Sequence, residues 1–245
     1  MEETQGMKEG VVTLLDILGW KGIWQRKSDA IEALVRLITL SNNKALLFSD
    51  GKKHTKKANA FKDLKVEIKS ISDTIALITY GESNLCLEFH SMLTSVIVPK
   101  SIIEGIPVRG ATSYGLLSTK DNIMVGPAID EVATWYEAAN WIGVILTPSA
   151  LFKLKIEDFM FDQNRLIEHE VSIKNYGKYK TFCTNWIGVW NHNKRGKDEL
   201  LEKFLEFMPI SPDVYMKLSN TVYFYDIVKG TPPKQESEVA VTSEK

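Results

Sequence analysis

Two short apolar, β-prone runs each hold a single aspartate: Leu14-Leu15-Asp16-Ile17-Leu18-Gly19-Trp20 and Lys69-Ser70-Ile71-Ser72-Asp73-Thr74-Ile75. A carboxylate at the end of a buried strand is costly to desolvate unless something cationic meets it. Two such aspartates suit a pair of hard divalent cations holding a triphosphate. The structural readings stand beside this one. Asp16 can be a turn former, and Asp73 can pair with Lys69 four residues earlier.

The chain around these runs alternates short strands and amphipathic helices. Gly10 to Ile17 carries Val11, Val12, Leu14 and Leu15 in one stretch, the pattern of a buried strand, and Asp16 falls at its end. Backbone N–H groups in the turn Ile17-Leu18-Gly19-Trp20 can then cradle a phosphate. Ser28-Asp29 forms a plausible helix start before Ala30, Ile31, Leu34, Val35, Leu37 and Ile38. Lys65 to Leu77 reads as a strand, Leu85 to Val98 as a helix, and Val108 to Leu116 as a strand with two glycines. A turn at Lys120-Asp121-Asn122 leads to a strand start at Ile123, and a helix spans Ala128 to Trp141. Val144 to Thr147, Phe182 to Val189 and Val222 to Ile227 are further strand candidates. This order predicts an α+β fold, a mixed and mainly antiparallel sheet with helices packed on one face.

Charge and composition exclude several classes of function. Thirty basic residues against thirty-one acidic ones, in 245 residues, argue against wrapping nucleic acid or lying directly on a membrane. The basic run Lys52-Lys53-His54-Thr55-Lys56-Lys57 reads as an exposed hairpin tip. Cys86 and Cys183 sit in apolar contexts without metal-ligand spacing, as reduced core thiols of a cytoplasmic protein would. The four histidines are scattered and read as structural or exposed. No apolar run approaches the ~18 residues of a membrane helix. Residues 1–9 read as a flexible N-terminus, 10–229 as one catalytic domain, and 230–245, rich in Pro, Ser, Glu and Lys, as a disordered tail.

Asp16-Ile17-Leu18-Gly19-Trp20 and Lys69-Ser70-Ile71-Ser72-Asp73, 57 residues apart between the aspartates, resemble the metal-binding motifs of the class III nucleotide cyclases. There a first-strand aspartate and a second in a hairpin bind two Mg2+ or Mn2+ ions. Val108-Arg109-Gly110-Ala111-Thr112-Ser113-Tyr114-Gly115 looks like the family's fourth strand. Val125-Gly126-Pro127-Ala128-Ile129-Asp130 looks like the glycine turn opening its fourth helix, so the resemblance covers residues 10–148. It implies a ferredoxin-like fold, with Asp16, Asp73 and the Ile17 backbone as metal ligands. Ile17, Leu18, Gly19, Trp20, Lys69, Asp130, Thr134 and Lys178 are the implied substrate-binding positions, and the sites fall at a homodimer interface.

The departures bear on the substrate. Family purine cyclases follow the glycine turn with N-x-x-x-R, whereas Asp130 and Thr134 stand there. Ile123 replaces a base-reading aspartate. The same departures resemble the pyrimidine cyclases of bacterial antiphage systems, whose cyclic UMP or cyclic CMP is read by a separate effector, in some cases membrane-bound. A lysine offers only donors, which suit uracil's carbonyls better than cytosine's amino group, so UTP is favoured if Lys69 reads the 4-position. The alternatives are a cytidylate cyclase, a purine cyclase, and a catalytically silent cyclase-like domain. Lys178, with Lys180, is the candidate for meeting phosphate charge, and Arg109 a weaker one because a strand arginine can pair structurally. Substituting either aspartate is expected to abolish turnover with little loss of stability.

Overall fold

The computed structural model describes residues 6–49, 61–62, 64–159 and 163–230. The basic run from Lys52 to Lys57, with His54, lies outside the described residues. So do residues 1–5 of the expected N-terminal segment and 231–245 of the expected tail.

The first strand, β1 (Lys8–Ile17), is followed by α1 (Ala30–Ser49), the hairpin β2 (Val66–Ile71) and β3 (Thr74–Tyr80), and α2 (Ser83–Ile103). Next come β4 (Val108–Lys120), β5 (Ile123–Val125), α3 (Pro127–Trp135), β6 (Gly143–Leu146) and α4 (Pro148–Lys153). The chain continues through β7 (Leu166–Ile173), β8 (Gly177–Thr184), α5 (Trp186–His192), α6 (Lys197–Leu205) and α7 (Pro212–Gly230). The strands form one sheet in the order β2-β3-β1-β4-β6-β8-β7, with β5 paired to the far end of β4. Among the described residues only β4 and β6 run parallel.

Four expectations change. The helix expected over Ala128 to Trp141 ends at Trp135, because residues 138–140 bond instead to the end of β7, with Ala139 bridging to Ile173. Residues 65–77 are a hairpin, because Ser72 takes a left-handed conformation (φ 56°) and turns the chain, which puts Asp73 in the turn. Residues 185–189 leave the sheet as the start of α5, where the Asn185 side chain caps by accepting the Gly188 N–H. Residues 222–227 belong to α7. Its β-branched and aromatic composition misleads, but Lys217, Leu218, Thr221, Phe224 and Tyr225 are the buried positions, a helical stripe.

Cross-strand partners share a face of the sheet, so the register sorts the side chains. Asp16 pairs with Thr74 and with Arg109, and Arg109 with Gly143; these four lie on one face at one end. The opposite face carries Thr13, Leu15, Leu77, Thr79 and Thr112 and is covered by α2. That helix is buried on almost every side, as a central core helix must be. On the Asp16 face, Ser113 donates to the Ala128 carbonyl (2.6 Å), seating α3 there. At Gly110 an added Cβ would meet the Leu14 carbonyl at 2.2 Å, so β1 and β4 close without a side chain between them beside Arg109.

One core histidine fastens the covered face. His90 of α2 is bonded to Thr13 Oγ1 (2.8 Å) and Thr79 Oγ1 (3.0 Å), and Thr13 to Thr112 Oγ1 (2.6 Å). Burial pushes the His90 imidazole down to about 3. From about pH 6.5 down toward 3 the unfolded chain binds a proton that the folded chain refuses, so stability falls with pH by at most ~1.4 kcal/mol per unit. Urea midpoints measured at pH 7, 5.5 and 4 are expected to drop more steeply for the wild type than for His90→Gln. Equal slopes would contradict this assignment.

Candidate functional site: a cationic cleft at Asp16

Asp16 ends β1 nine-tenths buried, and Arg109, directly opposite on β4, donates its Nε–H to Asp16 Oδ2 at 2.9 Å. Arg109 is held from behind by the Glu137 carbonyl (2.8 Å) and carboxylate (3.7 Å). Burial raises the Asp16 carboxyl above its ordinary range, and Glu137 and Asp73 add to that. Arg109 opposes it. The cation that the strand-end aspartate demands is thus, in the protein alone, an arginine. The expectation that Asp16 is replaceable at little cost in stability is therefore corrected: it is half of a buried ion pair.

Asp73 is close enough to Asp16 to raise its carboxyl. Its backbone carbonyl accepts the Ile17 N–H (3.2 Å), while among the described residues its half-buried carboxylate has no ion-pair or hydrogen-bond partner. One anchored carboxylate and one free carboxylate in the turn beside it fit a small divalent cation that takes its remaining ligands from phosphate and water. Among the described residues there is no group of three or more His, Cys, Asp or Glu side chains able to hold a metal alone.

The turn after Asp16 differs from expectation in one respect. The Ile17 and Leu18 amides are committed to the Asp73 and Pro107 carbonyls (3.2 and 2.8 Å), so these two position the turn, and of its four amides those of Gly19 and Trp20 are the ones left to meet phosphate. Gly19 adopts φ 74°, and its carbonyl accepts from Arg26. Leu18 and Gly19 line the cleft. Trp20 instead packs edge-on against Trp24, with centroids 5.5 Å apart.

The cleft itself has a volume of about 430 Å3 and is walled by Asp16, Arg109 and the Gly19 turn on one side and by residues 207–218 on the other. Lys21, Arg26, Arg109, Lys174 and Lys217 line it, against Asp16 and Asp213. Burial, with Arg109 and Lys217 close by, holds Lys174 below the ordinary lysine range. Such an excess of cations suits a polyanion. Lys174 arrives because the end of β7 bonds to the segment before β6, Lys174 N–H to the Ala138 carbonyl at 2.9 Å and Asn140 N–H to the Ser172 carbonyl at 2.8 Å.

The other expected residues lie elsewhere. Lys178 forms an exposed ion pair with Glu170 (3.3 Å) and Lys180 one with Glu168 (3.1 Å), and both line a separate groove. Lys174, four residues earlier, is the lysine of this hairpin that lines the cleft. Lys69 does not pair with Asp73. Its ammonium donates to the Asp121 carbonyl and sits 3.5 Å from Glu67. Asp130 and Thr134 are exposed on α3, where the Thr134 hydroxyl donates to the Asp130 carbonyl (2.9 Å).

Lys174, Lys217, Lys21 and Arg26 were not read from the sequence. For Lys217 a signal existed: it is a lysine at a core position of the 217, 218, 221, 224, 225 stripe.

Among solved structures the chain is similar to an adenylate cyclase from Trypanosoma brucei in its monomeric state, with a TM-score of 0.50 and 14% identity over 76% of this chain and 92% of that one. An adenylate/guanylate cyclase/hydrolase from Silicibacter pomeroyi aligns with a TM-score of 0.42 and 11% identity over 73% and 96%. At such identity the first likeness shows the fold, that of a class III cyclase catalytic domain. No family model and no curated protein matches the sequence. Among the described residues no helix is long and apolar enough to cross a membrane.

Proposed function

We propose that this chain is a nucleotide cyclase converting a nucleoside triphosphate, with UTP favoured, to the 3′,5′-cyclic monophosphate and pyrophosphate, a second messenger in antiphage defence. The observation that carries the reading is that Asp73 stands close enough to Asp16 to act on its carboxyl, while Asp16 lines a cleft in which five cations outnumber the two carboxylates. In the reaction the ribose 3′-oxygen attacks the α-phosphorus, the bond to the bridging oxygen of the β-phosphate breaks, and the 3′-hydroxyl proton leaves to solvent. Two divalent cations, Mn2+ or Mg2+, held by Asp16, Asp73 and the Ile17 carbonyl, would supply Lewis acidity at the hydroxyl and phosphates. Arg109 and Lys174 bind the triphosphate, and with threonine at 134 they also meet the charge that develops on the leaving group.

Lys69 supports the uracil reading in combination with Glu67. A donor beside an acceptor on the same face of β2 matches uracil's O4 and N3–H, and cytosine presents the opposite order. Guanine, with O6 accepting and N1–H donating, presents the same order as uracil, which keeps a purine alternative in play. A homodimer agrees with the exposed apolar side chains Ile71, Leu116, Ile123 and Val125 on β2 and the β4–β5 arm, and with the exposure of Asp130 and Thr134 toward a second copy.

The test is to incubate the purified chain with ATP, GTP, CTP and UTP together in Mn2+ and identify any cyclic product by mass. Cyclic UMP in excess is expected. A dominant purine product overturns the uracil assignment, and no cyclic product from any nucleotide overturns the enzyme.

A further inference from the structure

The wall of the cleft facing Asp16 is built by the segment after α6 and the first turns of α7, and Lys217 stands in it. Its side chain is 8% exposed, whereas that of its partner Asp213, one turn earlier, is 75% exposed. The ammonium is held by the Asp213 carboxylate and by the Asp213 carbonyl at 3.1 Å, and it holds Asp213 below the ordinary carboxylate range. Among the described residues the carboxylate that meets this buried ammonium is thus one that lies largely in water, where solvent screens it. Arg109 and Lys174 line the same cleft, so three cations gather there, with Lys21 and Arg26 beside them, against the two carboxylates Asp16 and Asp213.

We propose that Lys217 is a ligand of the substrate's polyphosphate and of departing pyrophosphate, supplied by α7 of the same chain, and that Asp213 is a resting counter-ion which phosphate displaces. This assignment rests on the cyclase reading for its substrate, but its binding chemistry is separable from turnover. Pyrophosphate carries the charge for all three cations. A phosphate oxygen within reach of Lys217 replaces an exposed, screened partner with one inside the cleft.

Titration calorimetry of inorganic pyrophosphate in Mg2+ with the full chain tests it. Wild type is expected to bind, Lys217→Ala to bind at least about tenfold more weakly, and Lys217→Arg to stay within about threefold of wild type. Asp213→Asn, which frees the ammonium, is expected to bind several-fold tighter, an outcome that a purely structural lysine would not give. If Lys217→Ala fails to fold, Asp213→Asn decides alone, and unchanged or weaker binding overturns the assignment. A folded Lys217→Ala with wild-type affinity overturns it too, as does a wild type that binds no pyrophosphate. A wild type that binds pyrophosphate through Lys217 yet makes no cyclic product removes the cyclase reading and leaves the anion site standing.

Discussion

Asp73→Ala is expected to abolish cyclic nucleotide formation, by roughly a thousandfold or more if it removes one metal's worth of transition-state stabilisation, while shifting Tm by no more than about 2 °C. The separation follows from what the residue does in the fold. Its backbone carbonyl ties the β2–β3 turn to Ile17, and that bond survives the substitution. Among the described residues its carboxylate has no hydrogen bond or ion pair to lose. With no side-chain interaction to lose, the substitution is close to neutral for the fold. Tm measured with excess Mn2+ should rise for the wild type and much less for the variant. Full turnover by Asp73→Ala would remove the two-carboxylate mechanism. A collapse in Tm would instead show that Asp73 serves the fold.

The strand, the turn and the helix that position Asp16 were legible because each is a local pattern: a run of buried apolar residues, a glycine that accepts φ 74°, and a helical spacing behind Asp29. What local pattern could not supply was the company Asp16 keeps. Arg109 lies 93 residues away and becomes its partner only through the β1–β4 register. Lys174 reaches the cleft because the end of β7 bonds to residues 138–140, a pairing that no periodicity announces. The reading of residues 65–77 as one strand failed at Ser72, where a serine adopts the left-handed conformation that glycine usually supplies. Residues 222–227 were misread because α7 carries apolar and aromatic side chains on its exposed face (Tyr215, Met216, Tyr223) and polar ones, Lys217 and Thr221, on its buried face, which erases the helical period. The two aspartates were therefore visible from sequence, whereas the cations gathered around Asp16 are properties of the folded chain.

The Asp16–Arg109 pair has a consequence that separates a metal site from a structural ion pair. Arg109→Met is expected to lower stability by about 3–5 kcal/mol, read as a shift in urea midpoint, because Asp16 is left buried without its cation. Asp16→Leu combined with Arg109→Met should recover much of that loss, since no charge then remains at the strand end and apolar side chains of similar volume fill the space. The single variant also opens a competition that the wild type hides. In the wild type a divalent cation must share Asp16 with a guanidinium 2.9 Å away. In Arg109→Met the metal has Asp16 to itself, and every increment of metal binding to the folded chain adds to its stability. Mn2+ should therefore raise the Tm of Arg109→Met by more than that of the wild type, and should leave the Asp16→Leu/Arg109→Met chain where it is. A carboxylate that only staples β1 to β4 predicts the same loss of stability but no selective rescue by metal. Equal Mn2+ shifts in all three chains would assign the pair to the fold and move the metal chemistry away from Asp16.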